Sequence, residues 1–286
     1  MKAIYTHCGG LGVLHETVVF LHTILKNTSE TIIIGTDDLS HPILEQYLSK
    51  NQQIILHKTP NFEYKHPING AYYWRQRWTN MEILSHNYDH LVAIDVDTLF
   101  RENIDFLMSE LSPDPTHLTA YSGVSTRWSE CRRYYKKARM MGLPVNLPVI
   151  VAANMLGLSS WWLQKHVQTI NGILDKYACS DEIAIVSVVG GDPPLKLKTV
   201  RAPDGTHYIS DTSWMIEFPE EYSKAALIHF SINKCILHQE WLDAYKKAWE
   251  EEFLWTRDYE LVKRGMEKWR RWKYLVPGEN QAVFTV

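Results

Sequence analysis

Two carboxylates one residue apart, Asp95 and Asp97, close the run His90-Leu91-Val92-Ala93-Ile94-Asp95-Val96-Asp97-Thr98-Leu99-Phe100. On an extended backbone, side chains two residues apart leave the same face. Two ionised carboxylates at that spacing repel each other and resist burial without compensation. A divalent cation is the usual compensation. Hard oxygen ligands suit Mg²⁺ or Mn²⁺, which in turn hold the phosphate oxygens of a substrate. The apolar part of the run is bounded by turn-prone Asn87 and Asp89 and is β-branched and apolar in succession, as expected of a strand buried on both faces of a parallel sheet. Ligands of open α/β sheets bind beyond the carboxyl ends of the strands, and the acidic pair stands at that end.

The elements that must position the pair follow from the hydrophobic pattern. Residues 2–6 predict a first strand, followed by the loop His7-Cys8-Gly9-Gly10 and an apolar-periodic helix reaching about Lys26. Strands are expected at Thr31–Gly35 and Gln53–Leu56, with a helix over 42–50 between them. A helix over 69–86 leads into the acidic strand. Further strands are expected at Leu118–Tyr121, Val149–Leu156, Leu195–Val200 and Ala226–Phe230, with a helix over 159–177 and another opening at Ser180-Asp181-Glu182, where Ser180 is a candidate cap. Residues 123–148 are polar, basic and proline-containing, and are expected to form an excursion or lid. From about Leu237 to Tyr274 the pattern is continuously helical. Strands alternating with helices predict a Rossmann-like α/β fold with a mostly parallel central sheet.

The 286 residues, 45% hydrophobic and 22% charged, suffice for one large domain with an appendage. A net charge of −3 gives no reason to expect nucleic acid as a partner. Cys8, Cys131, Cys179 and Cys235 are scattered without a CxxC pair, which argues against a common zinc site and a disulfide framework. The N-terminus shows no apolar signal region, and no apolar stretch approaches the roughly 20 residues that span a bilayer. The expectation is a soluble, cytoplasmic protein. Eleven Trp and 15 Tyr suit flat polyhydroxylated ligands and serve equally as core filler.

The stretch Asn87-Tyr88-Asp89-His90-Leu91-Val92-Ala93-Ile94-Asp95-Val96-Asp97 resembles the "YDKVLYLDxD" region of GT-A fold glycosyltransferases, above all the glycogenin-like, galactosyltransferase-like family 8. The resemblance implies that Asp95 and Asp97 hold Mn²⁺ (or Mg²⁺) against the diphosphate of a nucleotide sugar, most simply a UDP-sugar. It extends in order along the chain. Tyr72-Tyr73-Trp74-Arg75-Gln76-Arg77 is similar to the helix that carries an arginine near the donor, with Arg77 better spaced than Arg75, and guanidinium groups pair well with diphosphates. Tyr5, Thr6 and His7, with Gly9 and Gly10 behind them, occupy the place that receives base and ribose. Val151-Ala152-Ala153-Asn154-Met155-Leu156 resembles the "FNAGVLL" strand beside the sugar, although the family's asparagine falls on Ala152 and its glycine on Asn154. Asp181 and Glu182 resemble the Asp-Gln step whose carboxylate contacts the transferred sugar or acceptor. Leu227-Ile228-His229-Phe230-Ser231-Ile232-Asn233-Lys234 resembles the "HFxGxxKPW" ending. That match implies His229 as third metal ligand and Lys234 on the diphosphate, with the glycine missing and the lysine one residue nearer the histidine.

The implied organisation is a GT-A catalytic domain over 1–236, with a nucleotide-sugar half over about 1–100 and an acceptor half over about 101–236, and a helical C-terminal appendage over 237–286. The implied partners are a nucleotide sugar and a carbohydrate or glycoprotein acceptor. In the appendage Trp241, Trp249, Trp255, Trp269 and Trp272 interleave with acids and then bases. Packing of these tryptophans on the main domain is the first reading, and peripheral membrane contact through the terminal Trp/Lys/Arg segment is the second. A carboxylate such as Asp181 or Glu182 acting as general base predicts inversion of the sugar, while the family resemblance implies retention. Two rivals stand. Asp95-Val96-Asp97-Thr98-Leu99 also resembles the DxDxT pattern of haloacid-dehalogenase-like phosphatases, which place it on their first strand. A nonenzymatic carbohydrate-binding relative would need the aromatics without the metal ligands.

Overall fold

The structure, a computed structural model, describes residues 1–61, 70–121, 136–144, 155–189, 196–199, 209–211, 219–230 and 238–266. The strands are β1 (Lys2–Cys8), β2 (Ile32–Thr36), β3 (Ile54–Lys58), β4 (His90–Ile94), β5 (Thr98–Phe100), β6 (His117–Ala120), β7 (Met155–Ser159), β8 (Lys196–Thr199), β9 (Ile209–Asp211) and β10 (Leu227–His229). The helices are α1 (Leu14–Ile24), α2 (His41–Leu48), α3 (Gly70–Leu84), α4 (Phe106–Ser109), α5 (Ser160–Tyr177), α6 (Asp181–Val189), α7 (Pro219–Lys224), α8 (Gln239–Glu250) and α9 (Tyr259–Met266). The chain forms two compact units. One comprises Met1–Thr6, Thr59–Ile94 and Phe106–Tyr208; the other comprises His7–Lys58, Asp95–Asp105 and Ile209–Val286.

In the first unit β1, β4, β7, β6 and β8 lie side by side in that order. Strand β4 runs parallel to β1, with Lys2 opposite His90 and Tyr5 opposite Ala93, and β6 runs parallel to β8. Leu91–Ile94 are all buried, as their continuous apolar run requires of a strand covered on both faces. The sheet is mostly parallel, as expected, with one exception: β7 is antiparallel to both β4 and β6. Its Gly157 lets the neighbours close in: a Cβ there would stand 2.5 Å from Leu111 Cδ2 and 3.0 Å from Thr119 Cβ. Helix α3 packs on α5, and the buried rings of Trp78 and Trp162 meet there at 6.3 Å. Helix α5 is well bounded, since Ser159 Oγ accepts from Trp162 N and Ala178 closes the helix in the left-handed conformation.

The second unit contains the parallel pair β2–β3 and a three-stranded sheet ordered β5-β10-β9. Helix α1 is buried almost all round, polar His15, Glu16, Thr17 and His22 included, so another element must cover its outward side. That element is α8, which packs on α1, while α9 packs against α1 and the turn Leu11–Val13. Trp241 and Tyr245 of α8 are buried and stacked at 5.4 Å, and His15 meets Trp241 edge-on at 5.7 Å. The buried positions of Trp241 and Trp255 are those of the packing reading and leave these two rings no part in a membrane contact; Trp269 and Trp272 lie outside the described residues. The continuous C-terminal helix expected from the pattern is instead interrupted. Glu252 and Leu254 take positive φ between α8 and α9, and Asp258 Oδ1 caps α9 by accepting from Leu261 N. No described helix is long and apolar enough to cross a membrane.

Candidate metal and sugar site

The strand carrying the acidic pair does not continue through it. β4 stops at Ile94, the chain bends over Asp95–Asp97, and β5 starts at Thr98. The expectation that extended backbone alone sets both carboxylates on one face is therefore corrected: the bend and a second strand do it. β5 pairs antiparallel with β10, Thr98 opposite His229 and Phe100 opposite Leu227, and Phe230 N donates to Asp97 O at 2.8 Å. This short ladder brings His229 Nε2 to 3.3 Å from Asp97 Oδ1 and 3.7 Å from Asp95 Oδ2. One ligand atom from each of the three residues lies within 4.8 Å of the others. Octahedral ligands about 2.1 Å from a small divalent ion stand about 3 Å apart when adjacent, so the spacing suits such an ion.

Burial sharpens the argument. The Asp97 side chain is 3% exposed, and its Oδ2 is buried with no hydrogen-bond partner. A carboxylate oxygen in that condition is costly unless a cation meets it. The donor set of two carboxylates and one imidazole fits Mn²⁺ or Mg²⁺. Asp95 and His229 are more open, at 28% and 13%, so the site has a solvent side on which a ligand can approach.

The second unit also holds the loop after β1. Gly10 takes a positive φ of 78°, and its amide donates to Asp37 Oδ2 at 2.7 Å. Asp37 Oδ1 accepts from the amides of Leu39 and Ser40 and from Ser40 Oγ, so this buried side chain ties the end of β2 to the glycine turn. Sequence reasoning missed that role for Asp37. The signal was an aspartate at a strand end before Ser and Pro, a turn-forming context. Cys8, buried beside Thr17, has its thiol pushed up to about 12, chiefly by burial.

In the first unit a second constellation forms. Arg77 on α3 and Asp181 at the start of α6 are 7% and 2% exposed, with Nη1 and Oδ2 at 3.5 Å. Tyr5, fully buried, donates from its hydroxyl to Arg77 O at 3.4 Å, and burial pushes its phenol well up. Tyr5 thus packs under α3 as part of the core. Thr6 is buried too, with an Oγ1 that has no partner, while His7 is half-buried. Arg75 turns to Asp175, 3.1 Å from Nε, and to Thr79. Helix α6 begins at Asp181 as expected, but Ser180 caps it with its carbonyl alone, accepting from Ile183 N; its hydroxyl is buried without a partner. Glu182 is half-exposed in the first turn. The structure therefore brings together Asp95, Asp97 and His229 in one unit and Tyr5, Arg77 and Asp181 in the other. Asn154 and Lys234 lie outside the described residues, as does most of the stretch expected to form a lid.

No protein-family model matches the chain, and no curated protein matches it in sequence. Solved structures do. The bifunctional glycosyltransferase WbbM, in its apo form, aligns over 93% of this chain with a TM-score of 0.62 at 12% identity. The galactosyltransferase LgtC, solved with donor and acceptor sugar analogs, aligns over 95% of this chain and 100% of its own, with a TM-score of 0.57 at 12% identity. The chain spans about half of WbbM, 52% of its length. At such identity the likeness establishes the fold, which is the Rossmann-like α/β GT-A fold of these glycosyltransferases. The phosphatase pattern fails on placement, since Asp95 follows the fourth strand and not the first.

Proposed function

We propose that the chain is a metal-dependent glycosyltransferase that moves a sugar from a nucleoside-diphosphate sugar, in the first place a UDP-sugar, to a hydroxyl of a glycan or glycoprotein. The observation that carries this reading is the Asp95–Asp97–His229 cluster with its unpartnered, buried Asp97 oxygen, on a fold shared with glycosyltransferases. These three residues hold Mn²⁺ or Mg²⁺. When bound, the ion supplies positive charge for the diphosphate and so stabilises it as a leaving group. Lys234 adds a cation for the same charge, and Tyr5, Thr6 and His7 form the strand end that receives base and ribose, Tyr5 from within the core.

Asp181 accepts hydrogen bonds from hydroxyls of the transferred sugar, and Asn154 contributes a further contact. The guanidinium of Arg77 lies 3.5 Å from Asp181 and holds this buried carboxylate in place. Asp181 is accordingly an orienting group, and if a side-chain base acts it is the more open Glu182. Arg77 serves the donor through Asp181, and Arg75, engaged with Asp175, is the weaker donor contact.

The test is a panel of nucleotide sugars with and without Mn²⁺, read as thermal stabilisation and as slow donor hydrolysis. Stabilisation by one nucleotide class that requires Mn²⁺ and vanishes in Asp97→Ala is the expected result. Indifference to every nucleotide sugar refutes the proposal.

A further inference from the structure

The metal triad hangs on a ladder of only three residue pairs, Leu227 with Phe100, Ile228 with Leu99 and His229 with Thr98. So short a ladder specifies its register weakly by itself. A slip of two residues keeps every side chain on its face yet carries His229 about 6.6 Å along the strand, far beyond the roughly 2.1 Å reach of a ligand bond. Something else must fix the pairing, and the residue that follows β5 is placed to do so.

Arg101 donates from its backbone and from all three guanidinium nitrogens to the chain entering β10 and to α8. Its amide donates to Ala226 O at 2.9 Å, closing the ladder at the end opposite the triad. Nη1 donates to Tyr222 O at 2.5 Å and to Ala225 O at 3.4 Å, gripping the chain as it enters β10. Nε and Nη2 reach Glu240 Oε1 and Oε2 at 2.6 and 2.7 Å, a two-pronged pair with the first turn of α8. Tyr222 completes the cluster, its hydroxyl donating to Glu240 Oε2 at 3.1 Å and its ring lying under the guanidinium at 4.9 Å. Helix α8 is itself anchored to α1 at both ends. Trp241 meets His15, and Glu251 meets His22 at 2.9 Å and Lys26 at 3.0 Å.

We infer that Arg101 and Glu240 are positioning residues for the metal triad, a lock by which α8 holds β5 and β10 in the one register that sets His229 against Asp97. Neither residue touches the ion; they act through the backbone. The inference rests on the triad being a metal site.

The experiment titrates the protein with Mn²⁺ and follows the free ion by electron paramagnetic resonance, alongside urea unfolding of each variant. Glu240→Gln and Arg101→Lys keep size and lose the two-pronged pair. Each is expected to weaken Mn²⁺ binding about tenfold or more, the size typical of lost supporting contacts around metal ligands. Tyr222→Phe, which removes one hydroxyl, should weaken it less. Asp243→Asn, exposed on the same helix and bonded to Gln239, should leave it unchanged. Variants that lose stability yet bind Mn²⁺ as tightly as the parent overturn the lock, since the pair then serves the fold alone. Should Glu240→Gln not fold, unchanged binding in Tyr222→Phe overturns it equally. A parent protein that does not bind Mn²⁺ overturns the metal reading itself.

Discussion

Asp97→Asn should change stability in opposite directions with and without metal. In the metal-free protein the substitution removes one of two carboxylates whose oxygens stand within 4.8 Å. At an effective dielectric of about 20 that repulsion is roughly 3 kcal/mol, and the partial exposure of Asp95 reduces it to about 1–2 kcal/mol. The unpartnered Asp97 Oδ2 adds in the same direction, because an amide is less costly to bury than a carboxylate. The metal-free variant is therefore expected to melt about 2–8 °C higher than the parent, at roughly 2–4 °C per kcal/mol for a chain of this size. With Mn²⁺ at about 100 times its Kd the parent gains about 2.7 kcal/mol, and the variant gains nothing. Two thermal scans of each protein, with chelator and with Mn²⁺, decide it. A metal-free variant that melts below the parent, or one that keeps the Mn²⁺ shift, refutes the reasoning.

Arg77→Ala leaves Asp181 buried without its guanidinium and should cost about 3–5 kcal/mol in urea unfolding, whereas the paired change Arg77→Met with Asp181→Leu should cost clearly less than the sum of the single changes. Gly157→Ala drives a methyl into Leu111, Thr119 and Tyr121 and should cost about 1–3 kcal/mol, with no change in Mn²⁺ affinity. His15 has its imidazole lowered to about 3 by burial. The unfolded chain therefore binds the proton first, and stability is lost as pH falls from about 6.5 toward 3. At about 1.4 kcal/mol per unit the loss is on the order of 5 kcal/mol, and His15→Phe should flatten that slope in unfolding curves taken from pH 7 to 4.

Much of this was legible in the sequence because the decisive signals are local. Leu91–Ile94 read as a doubly buried strand, and the two aspartates at its end are like charges that resist burial without compensation whatever the fold. His229 was reachable only through the resemblance of Leu227–Lys234 to a family motif, since a lone histidine at a strand end carries little signal of its own. Pairing was not legible: nothing in Met155–Ser159 states that β7 runs against both neighbours, since strand direction is fixed by the connections and not by side-chain period. The bend at Asp95–Asp97 was hidden for a related reason, because β5 exists through its partner β10 and has too few residues to announce itself. Burial of the Arg77–Asp181 pair was invisible as well. Each residue alone reads as a surface or capping charge, and only the approach of Arg77 on α3 to the start of α6 makes them partners. The break between α8 and α9 falls at Glu252 and Leu254, ordinary helix formers that adopt positive φ under tertiary constraint.

Each compact unit is assembled from three separate stretches of chain, and the triad takes Asp95 and Asp97 from one stretch and His229 from another, about 130 positions later. On the ribosome the two aspartates therefore emerge long before their third partner. Closing so long a loop is slow, and it precedes every contact that rewards it. A cation held by all three ligands can then exist only on a chain whose last third has been made and docked. If the triad takes up Mn²⁺, that uptake marks a chain made past His229, and chains stalled after Asp97 should lack it.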